Sequence, residues 1–219
     1  MPEKSTATLG ELIDRAWRLV TPGERRILGI TGPPGAGKST AAAAVGEALG
    51  EDAVLVPMDG FHLADAELRR LGRRDRKGAA DTFDAAGFAA LLRRLRDQGE
   101  QNVYAPVFRR DVEEPIAGAI SVPASVPLVV TEGNYLLADG PWAPVRGLLD
   151  EVWFLDTEEP LRLDRLIRRH EQFGKPPAAA RAWATGSDQR NADLIGRTRA
   201  RADLIVRIVT DGLSSVTVS

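Results

Sequence analysis

The sequence predicts a single α/β domain over residues 1–219, and three observations support that fold class. A glycine-rich loop at 30–40, I-T-G-P-P-G-A-G-K-S-T, lies between a short apolar run at 27–30 and an alanine-rich segment at 41–49. Two later apolar runs each end at an acidic residue, the position where ligands bind in open α/β sheets. A chain of 219 residues with 43% hydrophobic residues is long and apolar enough for one complete core.

The composition excludes several classes of protein. A net charge of −2 and a pI near 5.8 give no basic footprint for nucleic acid. The sequence has no cysteine, so disulfides and cysteine-based metal sites are excluded. It has no run of about 18 apolar residues, and its N-terminus lacks the basic-then-apolar pattern of a signal peptide. We therefore expect a cytoplasmic protein with no nucleic-acid or membrane partner.

The glycine-rich loop has the composition of a phosphate-binding site, with all four fixed positions of G-x-x-x-x-G-K-[S/T] present. Its glycines let backbone N–H groups approach phosphate oxygens, and the following helix directs its positive end to the same place. Lys38 can reach the β- and γ-phosphates, and the Ser39 hydroxyl can bind Mg²⁺. The predicted nucleotide-binding residues are Gly32, Pro33, Pro34, Gly35, Ala36, Gly37, Lys38, Ser39 and Thr40.

An amphipathic helix is predicted before the first strand. Apolar residues recur at helical spacing over 8–20, and Thr8 with Glu11 matches a capping box. The T-P-G sequence at 21–23 ends the helix. We assign residues 1–22 to this helix and 23–210 to the core.

The second predicted strand, 53–57, is followed by Asp59 and His62. A carboxylate at this end of a parallel strand is a candidate general base for a substrate hydroxyl, or a group close to Mg²⁺. A turn aspartate that binds local N–H groups is the structural alternative.

The segment after His62 carries many charges and precedes a predicted insertion. Residues 63–81 are either a solvated face or a substrate flap. Short strands at 103–108 and 119–122 do not fit a strand–helix alternation, so we interpret about 100–125 as an insertion over a substrate pocket. Tyr104 and Arg109 are candidate substrate groups there, and an ordinary hairpin with a charged tip is the alternative.

A third strand, 127–131, ends at Glu132 and is followed by Asn134. An acidic group at such a strand end commonly holds Mg²⁺ in phosphate-loop enzymes. The predicted metal ligands are therefore Ser39 and Glu132. A further strand at 151–155 ends at Asp156, which we interpret as a helix cap.

An arginine-rich helix is predicted over 159–172 and is broken at 174–177. A helix–break–helix element with arginines suits a lid over phosphates at about 168–185, and a solvated face is the alternative. We interpret His170 as structural. Helix over 178–200, with Asn191 as a pocket group, is followed by a strand at 202–209 and an edge segment at 215–218.

Taken with the phosphate loop, four motifs resemble one family: M-D-G-F-H-L at 58–63, D-T-F-D at 81–84, T-E-G-N-Y-L-L at 131–137 and R-R-H at 168–170. The chain resembles the uridine kinase, pantothenate kinase and phosphoribulokinase group, in particular its bacterial nucleoside/nucleotide kinase-like or fructose transport system kinase-like branch. The resemblance implies a three-layer α/β/α P-loop NTPase fold. Its parallel sheet would have the order 2-3-1-4-5, with a small β insertion and a lid.

The resemblance also implies roles for particular residues. Asp59 would take the proton of the acceptor hydroxyl, Glu132 would act near Mg²⁺ or the acceptor, and Lys38 would neutralise the phosphates. Arg168 or Arg169 would be the lid arginine. ATP and Mg²⁺ are the implied cofactors, and a homodimer stays open because relatives are often dimers or tetramers. The candidate substrate-binding residues are Asp59, His62, Tyr104, Arg109, Glu132, Asn134 and Asn191.

The implied activity is transfer of the γ-phosphoryl group of ATP to a hydroxyl of a small metabolite. A sugar, a nucleoside and a pantothenate- or glycerate-like acid all stay open as acceptors. A nucleotide-binding regulatory protein, or an ATPase without such an acceptor, is the alternative. The sequence lacks the N-K-x-D motif of guanine-specific switches and the L-S-G-G-Q signature of transport ATPases, so we favour the kinase.

Overall fold

A computed structural model describes residues 1–209 of the chain. Its strands and helices follow one another with short connections. The strands are β1 (Glu3–Ala7), β2 (Arg26–Thr31), β3 (Ala53–Leu55), β4 (Asn102–Arg109), β5 (Glu114–Pro123), β6 (Leu128–Glu132), β7 (Glu151–Leu155) and β8 (Leu204–Ile208). The helices are α1 (Leu9–Trp17), α2 (Lys38–Leu49), α3 (Asp65–Arg70), α4 (Ala85–Asp97), α5 (Ala143–Arg146), α6 (Glu159–Gln172), α7 (Pro177–Thr185) and α8 (Ser187–Gly196).

Six parallel strands form the central sheet in the order β1-β8-β7-β2-β6-β3. Counted along the chain, the five strands expected from the sequence therefore lie in the order 2-3-1-4-5 from the β3 edge. The loop after β2 leaves the middle of the sheet, between β6 and β7. This arrangement brings the carboxyl ends of β3 and β6 next to the phosphate loop, which is the geometry that a site at this edge needs.

Helices cover both faces of the sheet, so the fold is the expected three-layer α/β/α arrangement. On one face α1 and α2 pack through Leu12, Ala16 and Val45 against the even-numbered residues of β2. On the other face α4 and α5 contribute Phe88 and Val145, together with Ile195 of α8. Both faces of β6 are buried, as expected for a central parallel strand that begins with the apolar residues 128–130.

The first residues differ from the sequence-based expectation. Residues 3–7 form an edge strand that pairs in parallel with β8, from Glu3 opposite Leu204 to Ala7 opposite Ile208. Of this strand only Ala7 is buried, so its sequence carries no apolar signal and the pairing partner decides its conformation. The helix after it follows the prediction, including the capping box between Thr8 and Glu11.

A separate antiparallel hairpin of β4 and β5 lies within the segment predicted as an insertion. Its register shifts between Ala105 and Val107. Later in the chain, the consecutive helices α6, α7 and α8 pack on one another. Within residues 1–209 no helix combines the length and the apolar character needed to cross a membrane. The predicted edge segment 215–218 lies outside the described residues.

Candidate active site

The phosphate loop follows β2 and ends where α2 begins at Lys38. Gly35 and Gly37 have φ values of +84° and +91°, which side chains with a Cβ rarely adopt. A Cβ on Gly35 would also lie 2.7 Å from the carbonyl oxygen of Arg162 on α6. The loop conformation therefore depends on glycine for its backbone angles and for its contact with α6.

Lys38 is buried, and its ammonium group is held by the loop itself. Its Nζ atom donates hydrogen bonds to the carbonyl oxygens of Gly32, at 2.9 Å, and Pro33, at 3.0 Å. Burial lowers the pKa of Lys38 to about 8, although the carboxylates of Glu132 and Asp59 act in the opposite direction. An anion bound in the loop would supply the negative charge that favours the protonated amine.

Ser39 and Glu132 meet across the end of the sheet. The Ser39 hydroxyl donates a 2.9 Å hydrogen bond to Oε1 of Glu132. Burial raises the pKa of Glu132, and the nearby carboxylate of Asp59 raises it further. Within residues 1–209 no group of three or more His, Cys, Asp or Glu side chains could hold a metal by itself.

These two residues nevertheless fit Mg²⁺. The ion is usually bound in kinase sites by one or two protein oxygen ligands together with substrate phosphates and water. The hydroxyl of Ser39 and the carboxylate of Glu132 supply such oxygen ligands beside the phosphate loop. Within residues 1–209 the buried carboxylate of Glu132 accepts a hydrogen bond only from the Ser39 hydroxyl, so a cation would stabilise its ionised form.

Asp59 lies on the short turn Met58–Phe61 that follows β3. The turn approaches the end of β6 closely: a Cβ on Gly133 would lie 2.5 Å from the Cβ of Met58. Gly133 therefore allows the turn to bring Asp59 beside Glu132. The sequence predicted the two carboxylates at strand ends, and the close approach of the two segments places them in one site.

His62 forms one wall next to Asp59. Its Nδ1 lies 2.8 Å from the carbonyl oxygen of Asp59, which can only accept, so Nδ1 is the donor. The ring packs between Phe83, with centroids 3.9 Å apart, and Phe108, with centroids 4.6 Å apart. Burial lowers the pKa of His62, which favours a neutral imidazole that packs on aromatic rings.

The structure separates the two candidate lid arginines. The side chain of Arg169 lines the cavity, and burial lowers its pKa, as does the nearby Arg110. The side chain of Arg168 is 73% exposed and pairs with Asp164 at 3.1 Å. Arg168 is therefore not at the site, contrary to the prediction that included it, because consecutive helical residues point about 100° apart.

The prediction that Tyr104 and Arg109 bind the substrate is also wrong. Tyr104 is 58% exposed, on the opposite face of β4 from the buried Val103 and Ala105. Arg109 is exposed and donates from Nε to Asp111 at 2.7 Å. Side chains alternate between the faces of a strand, so the side chain of Arg109 points away from that of Phe108, and the side chain of Tyr104 points away from the buried face of β4. Phe108 and Arg110, the neighbours of Arg109, line it instead.

Nine of the remaining candidates line one cavity of about 420 Å³, whereas Gly32, Pro33, Gly35, Ala36 and Gly37 of the phosphate loop are not among its lining residues. Asn191 of α8 reaches it and lies 3.5 Å from the Gly78 carbonyl oxygen through Nδ2, whereas Thr40 is exposed on the first turn of α2. The predicted residues that line the cavity are Pro34, Lys38, Ser39, Asp59, His62, Glu132, Asn134, Arg169 and Asn191.

Sequence reasoning did not assign several further cavity residues to the site. His170 lines the cavity and pairs through Nε2 with Asp188 of α8 at 2.7 Å, which links α6 of the predicted lid to α8 beyond it. Lys77 and Arg74 belong to the charged segment whose role the sequence left open. The sequence shows that these residues are charged, but it does not show that their side chains point into the cavity.

Arg162 is a buried arginine that the sequence did not distinguish from its exposed neighbours. It is only 1% exposed, and its Nη1 donates to the carbonyl oxygen of Pro34 in the phosphate loop at 3.2 Å. Its other donors bind Glu159, with Nη2 at 2.7 Å, and the side-chain oxygen of Gln189. One guanidinium therefore connects the phosphate loop with α6 and α8.

We expect Arg162→Met to lower the free energy of unfolding by about 2–3 kcal/mol, because the Pro34 carbonyl and two side chains lose a charged hydrogen-bond partner. Urea denaturation with and without the substitution measures this change. Arg168→Met, on the exposed side of the same helix, serves as the control and should change stability by less than about 0.5 kcal/mol. Equal stabilities of the two variants would contradict the structural role of Arg162.

A glycine loop on the central strand, two strand-end carboxylates and an inward arginine from a helical segment define a P-loop phosphotransferase site. The chain belongs to the Phosphoribulokinase / Uridine kinase family, whose sequence model matches residues 27–214. Members of this family of P-loop kinases act on small molecules and use ATP with Mg²⁺ as the usual cofactor.

Several relatives cover most of the chain. It is 32% identical to the uncharacterised protein YggC of Escherichia coli K12 over 90% of this chain and 84% of the relative. It is 29% identical to the pantothenate kinase of Corynebacterium efficiens over 85% of this chain and 65% of that enzyme. A crystal structure named as a candidate fructose transport system kinase from Silicibacter sp. TM1040 superposes with a TM-score of 0.82 and 36% identity. That superposition covers 91% of this chain and 98% of the other.

Proposed function

We propose that this protein transfers the γ-phosphoryl group of ATP to a hydroxyl group of a small metabolite. The observation that carries the proposal is the convergence, in one cavity, of the phosphate-loop Lys38, the pair Ser39–Glu132, the carboxylate of Asp59 and the guanidinium of Arg169. Phosphoryl transfer requires positioning and neutralisation of charge more than covalent chemistry, and these groups supply both.

The nucleotide end of the cavity is the phosphate loop. The backbone N–H groups of Gly35 and Gly37 and the N-terminus of α2 would bind the phosphates, since Pro33 and Pro34 have no N–H. Lys38 would exchange its bonds to Gly32 and Pro33 for bonds to phosphate oxygens. Ser39 and Glu132 would hold Mg²⁺, which neutralises phosphate charge when bound. A nearby cation would also keep Glu132 ionised against the desolvation that burial imposes.

Asp59 is the proposed general base at the acceptor end. The carboxylate would accept the proton of the acceptor hydroxyl while that oxygen forms a bond to the γ-phosphorus. The bond from the γ-phosphorus to the bridging oxygen then breaks, and ADP leaves with its electron pair. Arg169 would stabilise the charge on the transferring group from the lid side.

The acceptor itself would contact the groups around Asp59. His62, with its neutral ring fixed between Phe83 and Phe108, would form a wall. Asn134 and Asn191 would offer amide donors and acceptors to hydroxyl groups. The positions of Tyr104 and Arg109 outside the cavity remove them from this proposal.

The proposed function is tested by ADP release from Mg-ATP with purified protein. Candidate acceptors are fructose and other sugars, nucleosides, pantothenate and glycerate, and Lys38→Ala is the control. We expect an acceptor-dependent signal that falls by at least about 10²-fold in the control, because the loop loses its one charged donor. ADP release that is independent of every acceptor would instead indicate an ATPase. Tight ATP binding without turnover of any acceptor would favour a regulatory role.

A further inference from the structure

Arg110 is a cation that faces the proposed base without a hydrogen bond to it. It lies in the turn between β4 and β5, lines the cavity, and has a side chain that is 48% exposed. Its Nη2 is 3.6 Å from Oδ2 of Asp59, which is too long for a hydrogen bond. The guanidinium also lies over the ring of Phe173, 5.7 Å from its centroid. Arg110 therefore has donors available beside the position of the reacting hydroxyl.

A second group of cations extends the same wall. Lys77 Nζ lies 2.7 Å and Arg74 Nε 2.6 Å from the carboxylate of Asp65, and Arg69 lies 3.3 Å from it. Three cations thus share one carboxylate, and Glu113 adds only a 3.9 Å contact to Lys77. Both Lys77 and Arg74 line the cavity. Glu113 and Glu114 lie beside this group as well, so the excess of positive charge belongs to the cavity lining as a whole, which among the described residues has six Lys and Arg side chains and four carboxylates.

Aromatic rings connect the two positive regions. The His62 ring contacts the backbone carbonyl of Asp59 through Nδ1, and its centroid lies 4.6 Å from that of Phe108. Lys77 Nζ lies 5.1 Å from the centroid of the Phe108 ring. Arg110 and Lys77 both act electrostatically on His62, so the two cations flank the same neutral surface. A molecule with its hydroxyl at Asp59 would extend over this surface with cations around it.

We propose, on the basis of the proposed kinase function, that the phosphoryl acceptor carries an anionic group and that Arg110 binds this group through its guanidinium. The group is a carboxylate or a phosphate ester, both of which match the paired donors of a guanidinium. In the structure Arg110 is oriented towards the carboxylate of Asp59. An acceptor anion would draw Arg110 away from Asp59 and leave that carboxylate to the hydroxyl.

A neutral acceptor fits these observations less well. Filling the cavity would remove water from Arg110 without providing an anion, and a desolvated charge without a full set of partners costs free energy. The acceptor anion avoids this cost and holds the hydroxyl end against Asp59. Arg110 is therefore a residue that determines specificity as well as affinity.

The test compares Arg110→Gln, Arg110→Lys and the matched control Arg109→Gln, whose side chain is exposed and paired with Asp111. ADP release is measured with carboxylates (glycerate and pantothenate), a phosphate ester (fructose 1-phosphate) and neutral compounds (fructose, uridine and glycerol). Binding of each compound is also measured by calorimetry in the presence of a non-hydrolysable ATP analogue. Comparison of the carboxylates with the phosphate ester shows which of the two anionic groups the site binds.

We expect at least one anionic compound to bind and turn over. Arg110→Gln should raise its KM on the order of 10- to 100-fold, as expected for the loss of a charged hydrogen bond, with the KM for ATP changed less than about twofold. The KM of this compound should be raised to an intermediate value in Arg110→Lys and should be unchanged in Arg109→Gln. Failure of every anionic compound to bind or turn over overturns the inference.

The inference and the proposed function fail in distinguishable ways. A neutral compound could be turned over in a reaction that Lys38→Ala abolishes and Arg110→Gln leaves unchanged. That result would support the kinase function and contradict the proposal that the acceptor is anionic. ADP release that no compound increases removes the kinase function and, with it, the inference.

Discussion

Asp59→Asn is expected to lower kcat by about 10²–10⁴-fold, the usual contribution of a general base. The amide occupies nearly the same volume as the carboxylate, so the turn Met58–Phe61 and its contact with Gly133 should persist. It cannot accept the proton of the acceptor hydroxyl at neutral pH. The measurement is kcat with saturating Mg-ATP and acceptor, together with the Kd for ATP from equilibrium titration.

The nucleotide affinity supplies the internal control for this substitution. Asp59 acts on Lys38 only at a distance, whereas Lys38 is held directly by the loop carbonyls. The Kd for ATP should therefore change by only a few-fold in Asp59→Asn. Full activity of the variant would remove Asp59 as the base, and an equal loss of ATP binding would show that it supports the phosphate site instead.

Arg169→Ala is expected to lower kcat by on the order of 10³-fold, in the range reported for arginines that neutralise a transferring phosphoryl group. Its guanidinium lies in the cavity, and burial lowers its pKa, so its charge is poorly solvated until an anion binds. Such an arginine stabilises charge that develops in the transition state. The effect should therefore appear in kcat more than in the Kd for ATP.

Arg168→Ala is the matched control for this prediction. Arg168 belongs to the same helix, carries the same charge and differs by one position, but it is exposed and paired with Asp164. Its kcat should stay within about twofold of the unsubstituted protein. Comparable losses in the two variants would mean that catalysis depends on both arginines and would contradict the assignment of Arg169 alone.

The sequence by itself determined the fold class and the central chemistry. The spacing of Gly32, Gly37 and Lys38 defines a phosphate loop without any tertiary information, because the pattern, its preceding strand and its following helix are local. The two carboxylates at strand ends could be predicted for a similar reason. Ligands bind at the carboxyl ends of parallel strands, so Asp59 and Glu132 were each candidate site residues from the sequence.

Only the tertiary structure decided which member of each arginine pair faces the cavity. Arg168 and Arg169 are adjacent on a helix, and Arg109 and Arg110 are adjacent at the end of a hairpin. Composition is identical within each pair, and the direction of the side chain depends on where the helix or hairpin packs. A register shift between Ala105 and Val107 adds to the difficulty, since it changes which strand residues face inward.

Arg162 and β1 are two further features that local sequence patterns do not predict. Arg162 sits in a run of charges that is typical of a solvated face, yet packing against Gly35 and α8 buries it beneath the phosphate loop. Residues 3–7 have a polar sequence, yet the free edge of β8 pairs with them. Local patterns determined the strands, helices and phosphate loop, whereas burial of a charge and pairing at a sheet edge depend on partners far away in the chain.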